Sequence, residues 1–187
     1  LFIAIWFAFF SVPTFLFVKD SKKYQPLDKN IILHSLSQIV STFREIRTYK
    51  QMTRFLFARL LYNDGLITIF AFGGIYASGT FGFTFNEIFL FGIILNITAG
   101  LGAFLLGFLD DILGGKVTIQ ISNIGLIVAC LLAITTHNKD VFWLSGILIG
   151  IFAGPNQAAS RSLMARFIPK EKENEFFGFF AFSGKAT

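Results

Sequence analysis

The chain has 187 residues, of which 54% are hydrophobic, 17% aromatic and 14% charged, and 26 are phenylalanine. That make-up lies far outside a soluble globular domain and describes a chain whose helices face lipid. A net charge of +5, from 16 basic and 11 acidic residues, would suggest nucleic acid in a soluble protein; here the charges fall in short clusters between apolar runs, which excludes a nucleic-acid partner.

Residues 1–18 form an apolar run containing Trp6 and Pro13, read as a transmembrane helix that stops at Lys19 and Asp20. Residues 19–54 are polar and basic and read as a cytoplasmic loop. Within it Ile32, Leu36, Ile39, Phe43 and Ile46 recur at helical spacing and predict an amphipathic helix over about 31–50, lying along the membrane surface. Residues 55–187 predict a helical bundle with spans at about 55–76, 88–109, 117–135 and 141–164, and a last one, 175–187, truncated. The Gly- and Thr-rich stretch from Gly73 to Glu87 reads as a loop, as do Asp110 to Lys116 and His137 to Asp140. The lone Cys130 sits in an apolar run and forms no intrachain disulfide.

In the span from 141 to 164, Gly146, Gly150, Gly154 and Ala158 recur every four residues, a small-residue face that lets another helix backbone come close. Pro155 removes one backbone donor from the same run, and Asn156 and Gln157 follow at once. Freed carbonyls and amide side chains there either hydrogen-bond a polar solute, as in interrupted transporter helices, or mark a packing kink.

If each apolar run crosses once, Lys19, Lys22, Lys23, Lys29, Arg44, Arg47, Lys50, Arg54, Lys116, Arg166, Lys170 and Lys172 fall on one side, and Lys139 alone falls in a loop on the other. By the positive-inside rule the first side is cytoplasmic. Richness in Phe, Ile, Lys and Asn points to a bacterial inner membrane.

The loop from Gly107 to Lys116 is similar to the cytoplasmic Gly-x-Leu-x-Asp-Arg-x-Gly-Arg-Lys motif of the major facilitator superfamily. Gly107, Leu109, Asp111, Gly114 and Lys116 match it, while Ile112 and Gly115 stand where the motif has arginine. The long basic loop likewise resembles that superfamily's central cytoplasmic loop. The stretch from Ala159 to Phe179, the later Ser183-Gly184-Lys185 and the Tyr62-Asn63-Asp64-Gly65 pattern resemble the branch related to the yeast vacuolar autophagy-associated amino-acid effluxer, which has many bacterial members. The resemblance implies an all-α integral membrane fold, the C-terminal six-helix half of a twelve-helix bundle with its last helix truncated. It also implies a permease whose site is completed by a missing N-terminal half of the same protein.

Candidate chemistry rests on polar side chains deep in apolar spans, because such residues are costly in hydrocarbon and mark a cavity or a partner. Asp64 lies about ten residues into its span, roughly 15 Å deep at 1.5 Å per residue, and is read as taking up a proton or binding a cationic group; a structural ion pair is the alternative. Lys185 enters from the same face to a similar depth and is its candidate partner, displaced when a substrate carboxylate competes. Arg59 and Asn63 share a helix face, with Arg59 near enough to the interface to snorkel to it. Asn96 is read as a helix-to-helix hydrogen bond, and Arg161 as meeting either an anionic substrate or Asp111 in a cytoplasmic gate.

No metal, cofactor or enzymatic activity is expected, since the chain carries no His/Cys/carboxylate cluster at metal spacing, no phosphate-binding loop and no nucleophile elbow. The expected function is secondary-active transport of a small polar solute, amino acids among the candidates, by alternating access. A lipid or lipid-linked solute flippase on the same fold and a non-transporting membrane scaffold or receptor are the alternatives. The expected partners are the lipid bilayer, the N-terminal half and a small-molecule substrate.

Overall fold

The computed structural model describes residues 1–18, 49–168 and 173–185. The amphipathic helix expected at about 31–50 lies, but for Tyr49 and Lys50, outside the described residues. The chain divides into two units, Leu1–Gln38 and Ile39–Thr187, each described here by itself. In the first, α1 spans Phe2–Phe17 with Pro13 inside it and exposes its apolar side chains, as a helix bathed in lipid would.

The second unit holds α2 (Lys50–Phe81), α3 (Phe85–Leu113), α4 (Gly115–Thr135), α5 (Lys139–Phe167) and α6 (Glu173–Ser183). The first four are long and apolar enough to cross a membrane. The connections are very short. α2 and α3 are separated by three residues, at positions 82–84, where the loop had been expected to begin at Gly73. Glycine costs about 1 kcal/mol in a helix in water, but in hydrocarbon every unpaired peptide group costs several, so the helix runs on through Gly73, Gly74 and Gly79 to Phe81. It ends at Gly82, whose φ of 63° favours glycine. α3 then opens with a capping box: Thr84 Oγ1 accepts from the Glu87 N–H, and the Thr84 N–H donates to Glu87 Oε2 at 2.8 Å.

At the opposite end the break between α3 and α4 is the single residue Gly114, with φ of 84°. The expected loop from Asp110 to Lys116 is therefore helical on both sides of one glycine.

α5 is the central helix and touches α2, α3, α4 and α6. The glycine face predicted on it packs on α3. Cβ atoms on Gly146, Gly150 and Gly154 would run into the Phe91 ring, Thr98 with the Leu95 carbonyl, and the Ala99 carbonyl respectively. Partner numbers rise together, so α3 and α5 run parallel. Ala158, the expected fourth member of that face, is exposed, and Gly107 on α3 has open space around it, so the helices part beyond Gly154.

Two apolar clusters close the ends. Phe81, Phe83, Phe91, Phe142 and Trp143 stack at one end. There Lys139 Nζ bonds Glu87 Oε1 at 2.5 Å and lies 4.8 Å from the Phe83 ring, tying α5 to the α2–α3 turn. Met52, Met164, Phe176 and Phe180 fill the other end, which also carries Lys50, Lys116 and Arg166.

Candidate functional site

Between the end clusters a third apolar cluster, Leu66, Leu126, Ala129, Ile149 and Ala153, packs α2, α4 and α5, and polar side chains lie between it and the Met52 end. Arg59 on α2 is 7% exposed and does not snorkel. Its Nη1 donates to the Phe180 carbonyl at 2.7 Å and to Ser183 Oγ at 2.8 Å, and its guanidinium lies 3.6 Å over the Phe180 ring. The carbonyls at a helix C-terminus lack intrahelical donors and carry partial negative charge, so a cation belongs there. Gly184 N–H turns back to the Ala181 carbonyl, and the Phe180 carbonyl accepts from Arg59 Nη1 and, at 2.8 Å, from Ser183 Oγ. One turn further along α2, Asn63 Nδ2 donates to the Gly184 carbonyl at 3.0 Å and Asn63 Oδ1 accepts from Gln157 Nε2 at 3.2 Å.

These contacts explain the Ser183-Gly184-Lys185 run. Ser183 and Gly184 each bond α2, and a Cβ on Gly184 would stand 2.7 Å from Arg59 Nη1.

A second polar chain crosses α5 towards α4. Tyr62 and Ser160 share a hydroxyl–hydroxyl bond of 2.7 Å, Ser160 Oγ donates to the Asn156 carbonyl, and Asn156 Nδ2 donates to Asn123 Oδ1 at 2.7 Å. Asn156 Oδ1 and Ser122 Oγ are buried with no hydrogen-bond partner among the described residues. Tyr62, Ser122, Asn123 and Ser183 were not singled out individually from the sequence. Asn123 carried the same signal that marked Asn96, an amide in mid-span.

Among the described residues, two cavities border this belt and another lies beyond it. One of about 560 Å³, between α2, α3 and α5, is lined by Leu66, Phe70, Ala99 and Gly154, with Gln157 as its amide. A second, about 400 Å³, opens between α2 and α4 at Tyr62 and Asn123. The third, about 380 Å³, is apolar and lies towards the aromatic end, with Asn96 in its wall.

Asp64 and Lys185 form no ion pair. Asp64 is half-buried on α2, and Lys185 is exposed in the turn after α6. The ion pairs among the described residues are Lys139–Glu87 and Arg166–Asp110. Lys185 follows Gly184, whose carbonyl bonds Asn63, so its backbone lies at the level of Asn63 and Asp64 while its side chain is exposed. Asn96 Nδ2 bonds the Gly92 carbonyl of its own helix at 2.8 Å and, among the described residues, makes no helix-to-helix bond.

The pairing expected between Arg161 and Asp111 is also replaced. Both are exposed, and Arg166 Nη2 meets Asp110 Oδ1 at 3.4 Å. Asp110 and Asp111 point about 100° apart on the helix, and Asp110 is the one turned towards α5. Of the loop motif, Gly114 supplies the break, while Asp111 and Lys116 face outward. At Gly115, where the motif has arginine, a Cβ would already lie 3.1 Å from Leu163 Cβ and 3.2 Å from the Ala159 carbonyl, so α4 starts too close to α5 for a side chain.

Long apolar helices joined by turns of one to three residues and threaded by a polar belt define an all-α, multi-pass integral membrane protein with the build of a major-facilitator-type bundle. The profile of the vacuole effluxer Atg22-like family matches residues 1–187, and the chain belongs to that family. It is 28% identical over 182 residues to the uncharacterized MFS-type transporter YxiO of Bacillus subtilis, a match covering 97% of this chain and 42% of that protein. It is 22% identical to autophagy-related protein 22 of Cryptococcus neoformans, over 98% of this chain and 36% of that protein. With autophagy-related protein 22 of Yarrowia lipolytica it shares 22% identity, over 100% of this chain and 37% of that protein. The chain thus spans roughly two fifths of the length of these relatives. No solved structure gives a significant match.

Proposed function

We propose that the full-length protein is a secondary-active transporter that carries a small polar solute, amino acids among the candidates, through a bacterial inner membrane by alternating access. The end bearing Lys50, Lys116 and Arg166 is its cytoplasmic end. One observation carries this reading: Arg59 and Asn63 both bond the end of α6, and Asn63 accepts from Gln157, which supplies an amide among the apolar side chains lining a 560 Å³ groove. Amide and guanidinium groups held inside hydrocarbon are costly unless a polar solute or water reaches them. The family's description as an effluxer and the printed name of the Bacillus relative support the class.

The solute sits between this wall and the N-terminal half. Asp64, half-buried and without an ion-pair partner among the described residues, is the residue that exchanges a proton with the gradient. The protein moves solute and catalyses no covalent step.

Counterflow into proteoliposomes loaded with individual amino acids or sugars, using full-length protein, tests the reading. Accumulation of a labelled solute against an unlabelled pool of the same solute is expected, and Gln157→Leu should reduce it at least tenfold by removing the groove's amide. Absence of exchange across the whole panel in protein that is folded and correctly inserted overturns it.

A further inference from the structure

Arg59 is, among the described residues, the charged side chain that the bundle buries, and it has no acidic partner. A buried cation in a low-dielectric interior is normally matched by an anion, because the desolvation cost otherwise stands uncompensated. The charge of Arg161 is of the same sign and reaches Arg59 through space. The carbonyl of Phe180 and the hydroxyl of Ser183 satisfy Nη1 alone. The Nε–Nη2 edge bonds to none of the described residues and is not sealed from solvent-sized atoms. That edge presents two parallel N–H donors, the fork that accepts two oxygens of a carboxylate or phosphate at once.

We propose that Arg59 is an oxyanion-binding centre that receives the carboxylate or phosphate group of the transported solute on its Nε–Nη2 edge, with the charge of Arg161 adding to the pull on the anion. The inference rests on the transporter reading and adds the chemical class of the solute. Asn63, one turn along α2, and Gln157, which donates to it, then face the uncharged part of the solute. Binding also acts on α6. A solute oxyanion on the Nε–Nη2 edge draws on the same guanidinium charge that Nη1 offers the Phe180 carbonyl and Ser183, so occupancy weakens, without displacing, the hold of α2 on the end of α6. That supplies a differential contact between loaded and empty states.

The test uses full-length protein in nanodiscs of phosphatidylcholine, with sodium acetate or inorganic phosphate as the probe and sodium chloride matching ionic strength. A saturable rise in thermal midpoint with acetate or phosphate is expected. Arg161→Gln should weaken the apparent affinity about tenfold or more without lowering the anion-free midpoint, since Arg161 is exposed and holds no hydrogen bond. Arg59→Gln should abolish the response.

No saturable response, or one undiminished in both variants, overturns the site; if Arg59→Gln does not fold, an undiminished response in Arg161→Gln overturns it. A second arm replaces the lipid with phosphatidylglycerol and adds no anion. If that lipid alone raises the midpoint through Arg59 and acetate and phosphate do nothing, the centre holds a headgroup and the solute assignment is overturned. Binding is read without transport, so a protein that responds to anions yet shows no counterflow refutes the transporter reading while leaving the oxyanion centre in place.

Discussion

Gly102 on α3 lies directly against the carbonyl of Ile151 on α5, the carbonyl that Pro155 deprives of its helical donor four residues on. Proline exposes an acceptor and glycine lets the neighbouring backbone close over it, so α5 passes through Pro155 as one helix from Lys139 to Phe167. A Cβ at Gly102 would collide with backbone, which cannot swing aside as a side chain can. Gly102→Ala is therefore expected to destabilise the protein by about 1–3 kcal/mol as an overpacked contact. Gly100→Ala, two residues away in open space, should be neutral or gain up to about 1 kcal/mol from helix propensity. Thermal midpoints of the two variants in detergent, measured side by side, check this; equal effects would mean that α3 and α5 are not in backbone contact here.

The long helices were legible because an apolar run of membrane length has few other uses; at Gly146, Gly150 and Gly154 the four-residue spacing coincides with the face of α5 that meets α3, and at Ala158 it does not. Where the reading failed, a distant partner decided the outcome. Arg59 looks like a snorkelling residue on its own helix, and its burial depends on Phe180 and Ser183, more than 120 positions away. Asp111 and Arg161 sit at the motif positions, yet the rotation of α3 and α5 brings Asp110 and Arg166 together instead. Gly73 to Phe81 carries loop residues by composition, but the lack of water in a bilayer keeps them helical.

Gly184 stands where the end of α6 closes on a guanidinium, and a methyl group there meets Arg59 Nη1 at 2.7 Å. Gly184→Ala should push Arg59 off the Phe180 carbonyl and lose roughly the value of a charge-assisted hydrogen bond, about 1.5–3 kcal/mol. Ser183→Ala, which removes one acceptor and leaves the carbonyl contact, should cost less. If the contact is the cause, the double variant Gly184→Ala/Arg59→Gln should be less destabilised than the two single losses added together. Additive losses in thermal unfolding would place the effect of Gly184 elsewhere.

Ser122 and Ser160 are both about 1% exposed, yet only Ser160 is bonded, to Tyr62 and to the Asn156 carbonyl. Removing a buried hydroxyl that has no partner costs little, whereas removing one that serves a buried phenol orphans the phenol. Ser122→Ala should therefore leave the thermal midpoint unchanged or raised, and Ser160→Ala should cost about 1–3 kcal/mol, part of it recovered in Ser160→Ala/Tyr62→Phe. A large loss in Ser122→Ala would instead reveal an ordered water joining Ser122 Oγ to Asn156 Oδ1.

Asp64 separates structural from functional roles most cleanly. It follows Asn63, which holds α5 and α6 to α2, but its own carboxylate bonds to none of the described residues, so neutralising it removes no contact. Asp64→Asn keeps the volume and loses the charge and the titratable proton; stability should change by no more than about 0.5 kcal/mol. If Asp64 carries the coupling proton, pH-gradient-driven uptake should stop, while counterflow, which needs no net proton movement, continues near the wild-type rate. Loss of both modes together with a lowered midpoint would show a structural role, and retention of gradient-driven uptake would assign coupling to another residue. Asp64→Glu should restore driven uptake at least in part, because it returns a titratable carboxylate to the same helix face, and a merely structural site would not distinguish the restored charge from the amide in this way.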